Sequence, residues 1–128
     1  MDPLDDAKLA FVRERHLASL TLVRADGRPH VTPVGFTWDD EAGLVRVITW
    51  AGSVKAKLLD AAGSLEAAVC QVDGGRWLTF SGPAIVSADA DRCAEGVRRY
   101  AERYRPPGDR GADRRVIELT PRQVLGRA

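Results

Sequence analysis

The chain has 128 residues and a mass of 13.9 kDa, with 19 basic against 18 acidic side chains and a formal net charge of +1. Hydrophobic residues at 45% and charged residues at 29% are ordinary for a globular domain and exclude a disordered or fibrous chain. The length fits one domain over residues 1–128, the apolar runs are too short to span a bilayer, and a pI near 7.8 lies well below the footprint of a nucleic-acid-binding domain.

The start, Met1-Asp2-Pro3-Leu4-Asp5-Asp6, is acidic and lacks the apolar core of a signal peptide, so the expected location is cytoplasmic. Apolar spacing predicts a helix over Leu4 to Arg15. The period then falls to two, giving a strand over Leu17–Val23, a turn at Asp26-Gly27 and a second strand over His30–Trp38. A third strand, Leu44–Trp50, completes an antiparallel meander. Pro33 and Gly35 interrupt the second strand, which calls for an edge or bulge there. Such a place admits a ligand close to the backbone, and a barrel corner requires the same residues.

Ser53 is placed to cap a helix over Val54–Ala62 that Gly63 ends. Leu65–Val72 reads as a fourth strand. After the turn at Asp73–Gly75 comes a long fifth strand, Arg76–Ser87, with a bend at Gly82-Pro83. Asp89 or Asp91 caps a helix reaching about Tyr104, and a loop over Arg105–Gly111 leads to a sixth strand, Arg114–Thr120, with a short Val124-Leu125 extension. The pattern predicts a mainly β chain: a small, nearly closed barrel of about six antiparallel strands with two to three helices on its rim.

Charge is unevenly placed. Residues 1–91 carry 9 basic and 13 acidic groups, whereas residues 92–128 carry 10 and 5. Of the three lysines, Lys55 and Lys57 stand in the first turn and a half of the second helix, where the helix dipole prefers acids. With Ser53 and Gly52 at the same helix start, this pattern points to a phosphate. A second candidate is Asp73-Gly-Gly-Arg-Trp77, where Arg76 and Trp77 follow a tight turn and offer a guanidinium and an indole to a planar ligand. Cys70 and Cys93 lack a CxxC spacing and read as buried, inert thiols. His16 and His30 are isolated, so no metal site is expected. No nucleophile–base pair or phosphate-binding glycine motif is present, so any hard chemistry falls to a bound cofactor.

Three stretches, Asp26–Val34, Val47–Lys55 and Gly75–Gly82, resemble the pyridoxamine-phosphate-oxidase-like split-barrel flavoproteins. Within that superfamily, Ile48-Thr-Trp-Ala-Gly-Ser-Val-Lys55, Gln71-Val-Asp-Gly-Gly-Arg-Trp-Leu78 and Arg99-Tyr-Ala-Glu-Arg-Tyr-Arg-Pro106 are similar to the branch that uses the deazaflavin coenzyme F420, and most of all to its F420H2-dependent biliverdin reductases. The resemblance implies an FMN-binding-like split barrel working as a homodimer with cofactor sites at the interface. It implies that Ser53 and Lys55 hold the cofactor phosphate, with Lys57 extending toward the anionic tail. His30, Thr32, Pro33 and Val34 would line the deazaflavin together with Thr49, Trp50, Ala51 and Gly52, and Arg76 and Trp77 would lie beside the ring edge or tail. Arg105, Arg110 and Arg114 are candidates for the carboxylates of a substrate.

One departure matters. Flavin-using members carry Arg-Lys in the phosphate stretch, and here Val54 precedes Lys55, which favours F420 over FMN. The implied activity is hydride transfer from reduced F420 to a planar conjugated substrate such as biliverdin. The alternatives are a non-catalytic carrier of a flavin, deazaflavin or haem-derived ligand, and an FMN-dependent oxidase.

Overall fold

A computed structural model describes residues 1–128. The elements are helix α1 (Asp6–Arg13), strands β1 (Ala18–Val23), β2 (Pro29–Val34), β3 (Thr37–Asp39) and β4 (Leu44–Trp50), helix α2 (Val54–Ala62), strands β5 (Leu65–Asp73) and β6 (Arg76–Ser87), helix α3 (Ala90–Arg103), and strands β7 (Arg114–Leu119) and β8 (Gln123–Arg127). All strand pairs are antiparallel, and the sheet runs β2-β1-β5-β6-β7-β4-β3, with β8 also paired to β6. No helix is long and apolar enough to cross a membrane.

The expected second strand is in fact two. Val34 pairs with Ala18 of β1, whereas Thr37 pairs with Arg46 of β4, so the chain leaves one edge of the sheet and joins the other across Gly35-Phe36. The simple meander is therefore replaced by a corner that brings the two sheet edges together. Gly35 is needed at this corner: a Cβ there would lie 2.9 Å from the Tyr100 ring and 3.0 Å from the Tyr104 ring. The short extension seen in the sequence is a full strand, β8, which lies against β6 because Gly126 carries no side chain to strike the Trp77 carbonyl. These two additions raise six expected strands to eight, within the mainly β architecture anticipated.

The core occupies the barrel interior and the underside of α1 and α2. Leu20, Leu22, Phe36, Leu59, Val69, Leu78 and Phe80 are all essentially removed from water. The Phe36 and Phe80 rings meet edge to face at 5.9 Å, an arrangement that adds to the stabilisation from burial alone. Helix α1 is shorter than the apolar spacing suggested, because Asp5 rather than an earlier residue accepts the Lys8 N–H and fixes its start. Asp89 caps α3 through the Arg92 N–H. The end of α3 is tied across the barrel mouth by Arg103, which donates to the Glu14 carbonyl at 3.0 Å and to Gln71 Oε1 at 2.6 Å and stacks on Phe36. Cys93 is buried as expected, whereas Cys70 is only half-buried on the outer face of β5.

Candidate functional site

A cleft of about 410 Å³ lies where the Pro33–Gly35 corner faces the end of β4, the start of α2, the inner side of α3 and the loop before β7. It gathers Pro33, Val34, Trp50, Lys55, Arg110 and Arg114, all six of which the sequence had nominated. Local structure explains the convergence. Strand β4 ends at Trp50, and the Trp50 carbonyl accepts the Ser53 N–H at 3.1 Å, turning the chain tightly into α2 and setting Lys55 beside the indole. The loop is fixed to the same junction by the Ala51 N–H, which donates to the Asp113 carbonyl at 2.9 Å.

The cleft is electropositive and its cations are unmatched. The Lys55 ammonium lies 5.9 Å from the Trp50 ring centre, and the Arg110 guanidinium lies over that ring at 4.4 Å. Arg114 donates to the Thr49 carbonyl at 3.2 Å and to the Gly108 carbonyl at 2.6 Å. None of these three cations forms an ion pair. The one acid on the cleft wall, Asp109, instead accepts the Gly111 N–H at 2.8 Å. Burial pushes the Lys55 pKa down, and burial with the neighbouring Arg110 does the same to Arg114. Cations held in that state favour an anionic ligand that restores the lost solvation.

Beside the cleft, His30 and Thr32 occupy inward-facing positions of β2, opposite Leu22 and Leu20 in register. His30 Nδ1 and Thr32 Oγ1 are buried with no hydrogen-bond partner in the chain. Buried polar atoms in native proteins are nearly always satisfied, so an orphaned pair marks a place that a ligand or water completes. Burial, then Arg24, then Lys55 lower the His30 pKa, which places the imidazole within the field of both cations and favours its neutral form.

The remaining nominees are distributed as follows. Thr49 and Ser53 are both buried, with the Thr49 hydroxyl donating to Ser53 Oγ at 2.7 Å and Ser53 Oγ also accepting the Ala56 N–H at 3.2 Å. The Ser53 oxygen is thus occupied by the helix cap, and its own hydroxyl proton is what remains to offer. Ala51 and Gly52 form the turn between Trp50 and the cap, next to the indole. Lys57 is exposed and absent from the cleft wall, as a residue two positions from Lys55 on a helix must face elsewhere. Arg76 and Trp77 lie outside the cleft in the single chain, and Arg76 is held by Glu14 at 2.7 Å and Asp73 at 2.6 Å. Trp77 is on the outer face of β6, beside Arg127 of β8. Arg105 is exposed and does not line the cleft.

Gly35, flagged with Pro33 as a place for close ligand approach, also lines the cleft, as do Tyr100 and the Pro107–Asp109 segment, which the sequence did not single out. One signal was available: the chain's two tyrosines stand four apart, Tyr100 in the last turn of α3 and Tyr104 at its C-cap, a spacing that brings side chains together. A larger groove of about 540 Å³ runs between α1, β3 and α3, but its buried charges neutralise one another. Asp39 there takes Arg46 at 2.7 Å and Arg99 at 3.1 Å, leaving less to recruit a ligand.

A split barrel with an electropositive, aromatic-lined cleft at its open corner defines a class, and the chain belongs to the pyridoxamine 5'-phosphate oxidase family, whose pattern matches residues 4–128. Within that family it is 50% identical over 126 residues to the F420H(2)-dependent biliverdin reductase of Mycobacterium tuberculosis (strain CDC 1551 / Oshkosh), spanning 98% of this chain and 89% of that protein. The fold is also similar to the crystal structure of a conserved hypothetical protein from Mycobacterium tuberculosis, with a TM-score of 0.76 at 22% identity over 96% of this chain and 84% of the other. A structure described as an F420 reductase aligns with a TM-score of 0.73 at 22% identity, over 95% and 98% of the two chains.

Proposed function

We propose that the protein is an F420H2-dependent oxidoreductase that delivers a hydride to a planar conjugated substrate, with biliverdin as the acceptor. The observation that carries this reading is the unpaired, half-buried Lys55 beside Trp50 at the α2 N-terminus, adjoining the unpartnered His30 Nδ1 and Thr32 Oγ1. That set fits a coenzyme with a phosphate and a long anionic tail. The 50% identity to a reductase of that specificity supports the same assignment.

When bound, the reduced deazaflavin supplies the hydride. The chain's own residues do the rest. Lys55 and the first N–H groups of α2 hold the phosphate, and His30 and Thr32 offer hydrogen bonds near the ring. Trp50 gives one wall of a slot for planar partners, so much of the acceleration comes from alignment. Arg110 and Arg114 take the carboxylates of the acceptor, where planar guanidinium groups suit bidentate contacts.

The working unit in this proposal is a homodimer. The outer face of β1, β2, β5, β6 and β8 is apolar where it should be wet: Leu17 is 64%, Val31 58% and Val72 61% exposed. Exposed apolar surface of this kind marks an interface. Pro33 lies on both this face and the cleft, so a second copy seated there borders the cofactor site, and Trp77 shares the face through its partner position opposite Val72. A cytoplasmic location agrees with two free thiols and no disulfide.

Anaerobic mixing with F420H2 and biliverdin tests the function. Oxidation of the coenzyme with loss of biliverdin is expected. Binding of both without redox change would identify a carrier, and activity with FMN alone would identify a flavin enzyme.

A further inference from the structure

We propose that Tyr100 is the proton donor of the reduction, a catalytic role that rests on the hydride-transfer reading above. Hydride addition to a conjugated acceptor delivers two electrons and one proton, so a second proton must reach the acceptor's heteroatom. In the cleft the groups bearing an acidic proton are few. The arginines Arg110 and Arg114 keep theirs at any working pH, Asp109 is a carboxylate engaged by the Gly111 N–H, and Lys55 faces the anionic coenzyme. Tyr100 remains, and its hydroxyl makes no hydrogen bond within the chain.

Three features hold it ready. The Tyr100 ring stacks on Tyr104 with centres 4.9 Å apart. Tyr104 is itself fixed, its hydroxyl donating to the His16 carbonyl at 2.6 Å and accepting the Phe36 N–H at 3.2 Å. Gly35 leaves open the space that the Tyr100 ring edge fills, since any Cβ there would come within 2.9 Å of it. The neighbouring phenol is thus fully used as a brace, and Tyr100 is left free to act.

Three cations share the cleft with Tyr100. Arg114 from β7 and Arg110 from the loop are cations on the same wall, Lys55 adds a third from α2, and Asp109 is the one acid. Strands β2 and β4 contribute only Pro33, Val34, Val47, Ile48 and the Trp50 indole. In the step itself the Tyr100 O–H bond breaks, and its proton passes to the acceptor heteroatom made electron-rich by the incoming hydride. The phenolate left behind is favoured by the cations that line the same cleft and regains a proton from water. No further oxidant or reductant is needed.

The test uses Tyr100→Phe, which keeps the ring stack, in single-turnover reactions with F420H2 and biliverdin. Turnover is expected to fall about 100-fold, the scale of general acid catalysis, with F420H2 affinity and biliverdin KM within about twofold of the parent. Fluorotyrosine at position 100, a more acidic phenol, is expected to move the basic limb of the kcat profile to lower pH. In the coenzyme-free chain, labelling both tyrosines at Cζ gives two NMR signals, and biliverdin is expected to displace that of Tyr100. An active parent with an equally active Tyr100→Phe variant, or an unmoved basic limb, overturns the proposal alone. A parent that oxidises no F420H2 overturns the functional reading and the proposal with it.

Discussion

Replacing Lys55 with Met separates binding from folding at one residue. Two unit charges about 4 Å apart at an effective dielectric near 20 interact by about 4 kcal/mol, which sets the upper limit for Lys55 on a phosphate. The ammonium is only half-buried and gives up hydration when it binds, so the net loss expected is nearer 1.5–3 kcal/mol, the range for hydrogen bonds to charged groups. That corresponds to roughly 10- to 150-fold weaker F420 binding. Calorimetric titration at two salt concentrations measures it, and the parent should lose more affinity to salt than the variant.

The free protein should behave in the opposite sense. Lys55 has no acidic partner, and burial lowers its pKa below 10.5, so the unfolded chain binds the proton more readily in that alkaline window. Parent stability therefore rises as pH climbs through the folded pKa toward the unfolded value, and the Met variant lacks this rise. The coenzyme-free variant should melt no lower than the parent at neutral pH. An F420 affinity within threefold of the parent, or a clear loss of stability without coenzyme, would refute the placement of Lys55.

Gly35→Ala should force the Tyr100 and Tyr104 rings aside, costing about 1–3 kcal/mol as overpacking does, and should also slow turnover; urea melts alongside single-turnover rates check this. Arg103→Met removes the donors that satisfy the Glu14 and Phe36 carbonyls and Gln71, and should lower the melting midpoint by roughly 8 °C for about 2 kcal/mol, read by calorimetry. The Arg76 hydrogen bond, aided by His16, lowers the Glu14 pKa from 4.5 to about 2. Its contribution to stability is therefore present above the unfolded value and is lost as pH falls toward 2. The acid limb of a stability–pH curve should accordingly be shallower for Glu14→Gln than for the parent.

Much of the barrel was legible because its signals are local. Alternation in Leu44–Trp50, the Ser53 cap and the Gly63 stop specify β4 and α2 without reference to the rest of the chain. The split of His30–Trp38 was only half visible. Pro33 and Gly35 announced a disturbance, but which neighbour each half would pair with depends on closing the sheet through β1 and β4, a long-range choice. Strand β8 escaped for a related reason, since five residues with a glycine read as a tail until β6 supplies the partner. At the cleft, Lys55 stood out by opposing its helix dipole, Trp50 by adjoining that helix start, and Pro33 by interrupting its strand. Tyr100 did not, because a tyrosine on an amphipathic helix looks like packing until the Gly35 corner is seen to make room for its ring. Arg76 and Trp77 were nominated by their place after the Asp73–Gly75 turn as well as by resemblance, and they stand apart from the cleft in one chain, which is why the second copy carries weight in the functional proposal.

The most direct measurement of the central claim is a titration of the protein with F420 and, separately, with FMN, following tryptophan emission in the parent and in a Trp50→Phe variant. The account predicts saturable quenching by F420 at micromolar concentration that is largely lost in the variant, with FMN binding at least tenfold more weakly. Micromolar FMN binding with no response to F420, or F420 quenching unchanged by loss of Trp50, would contradict it.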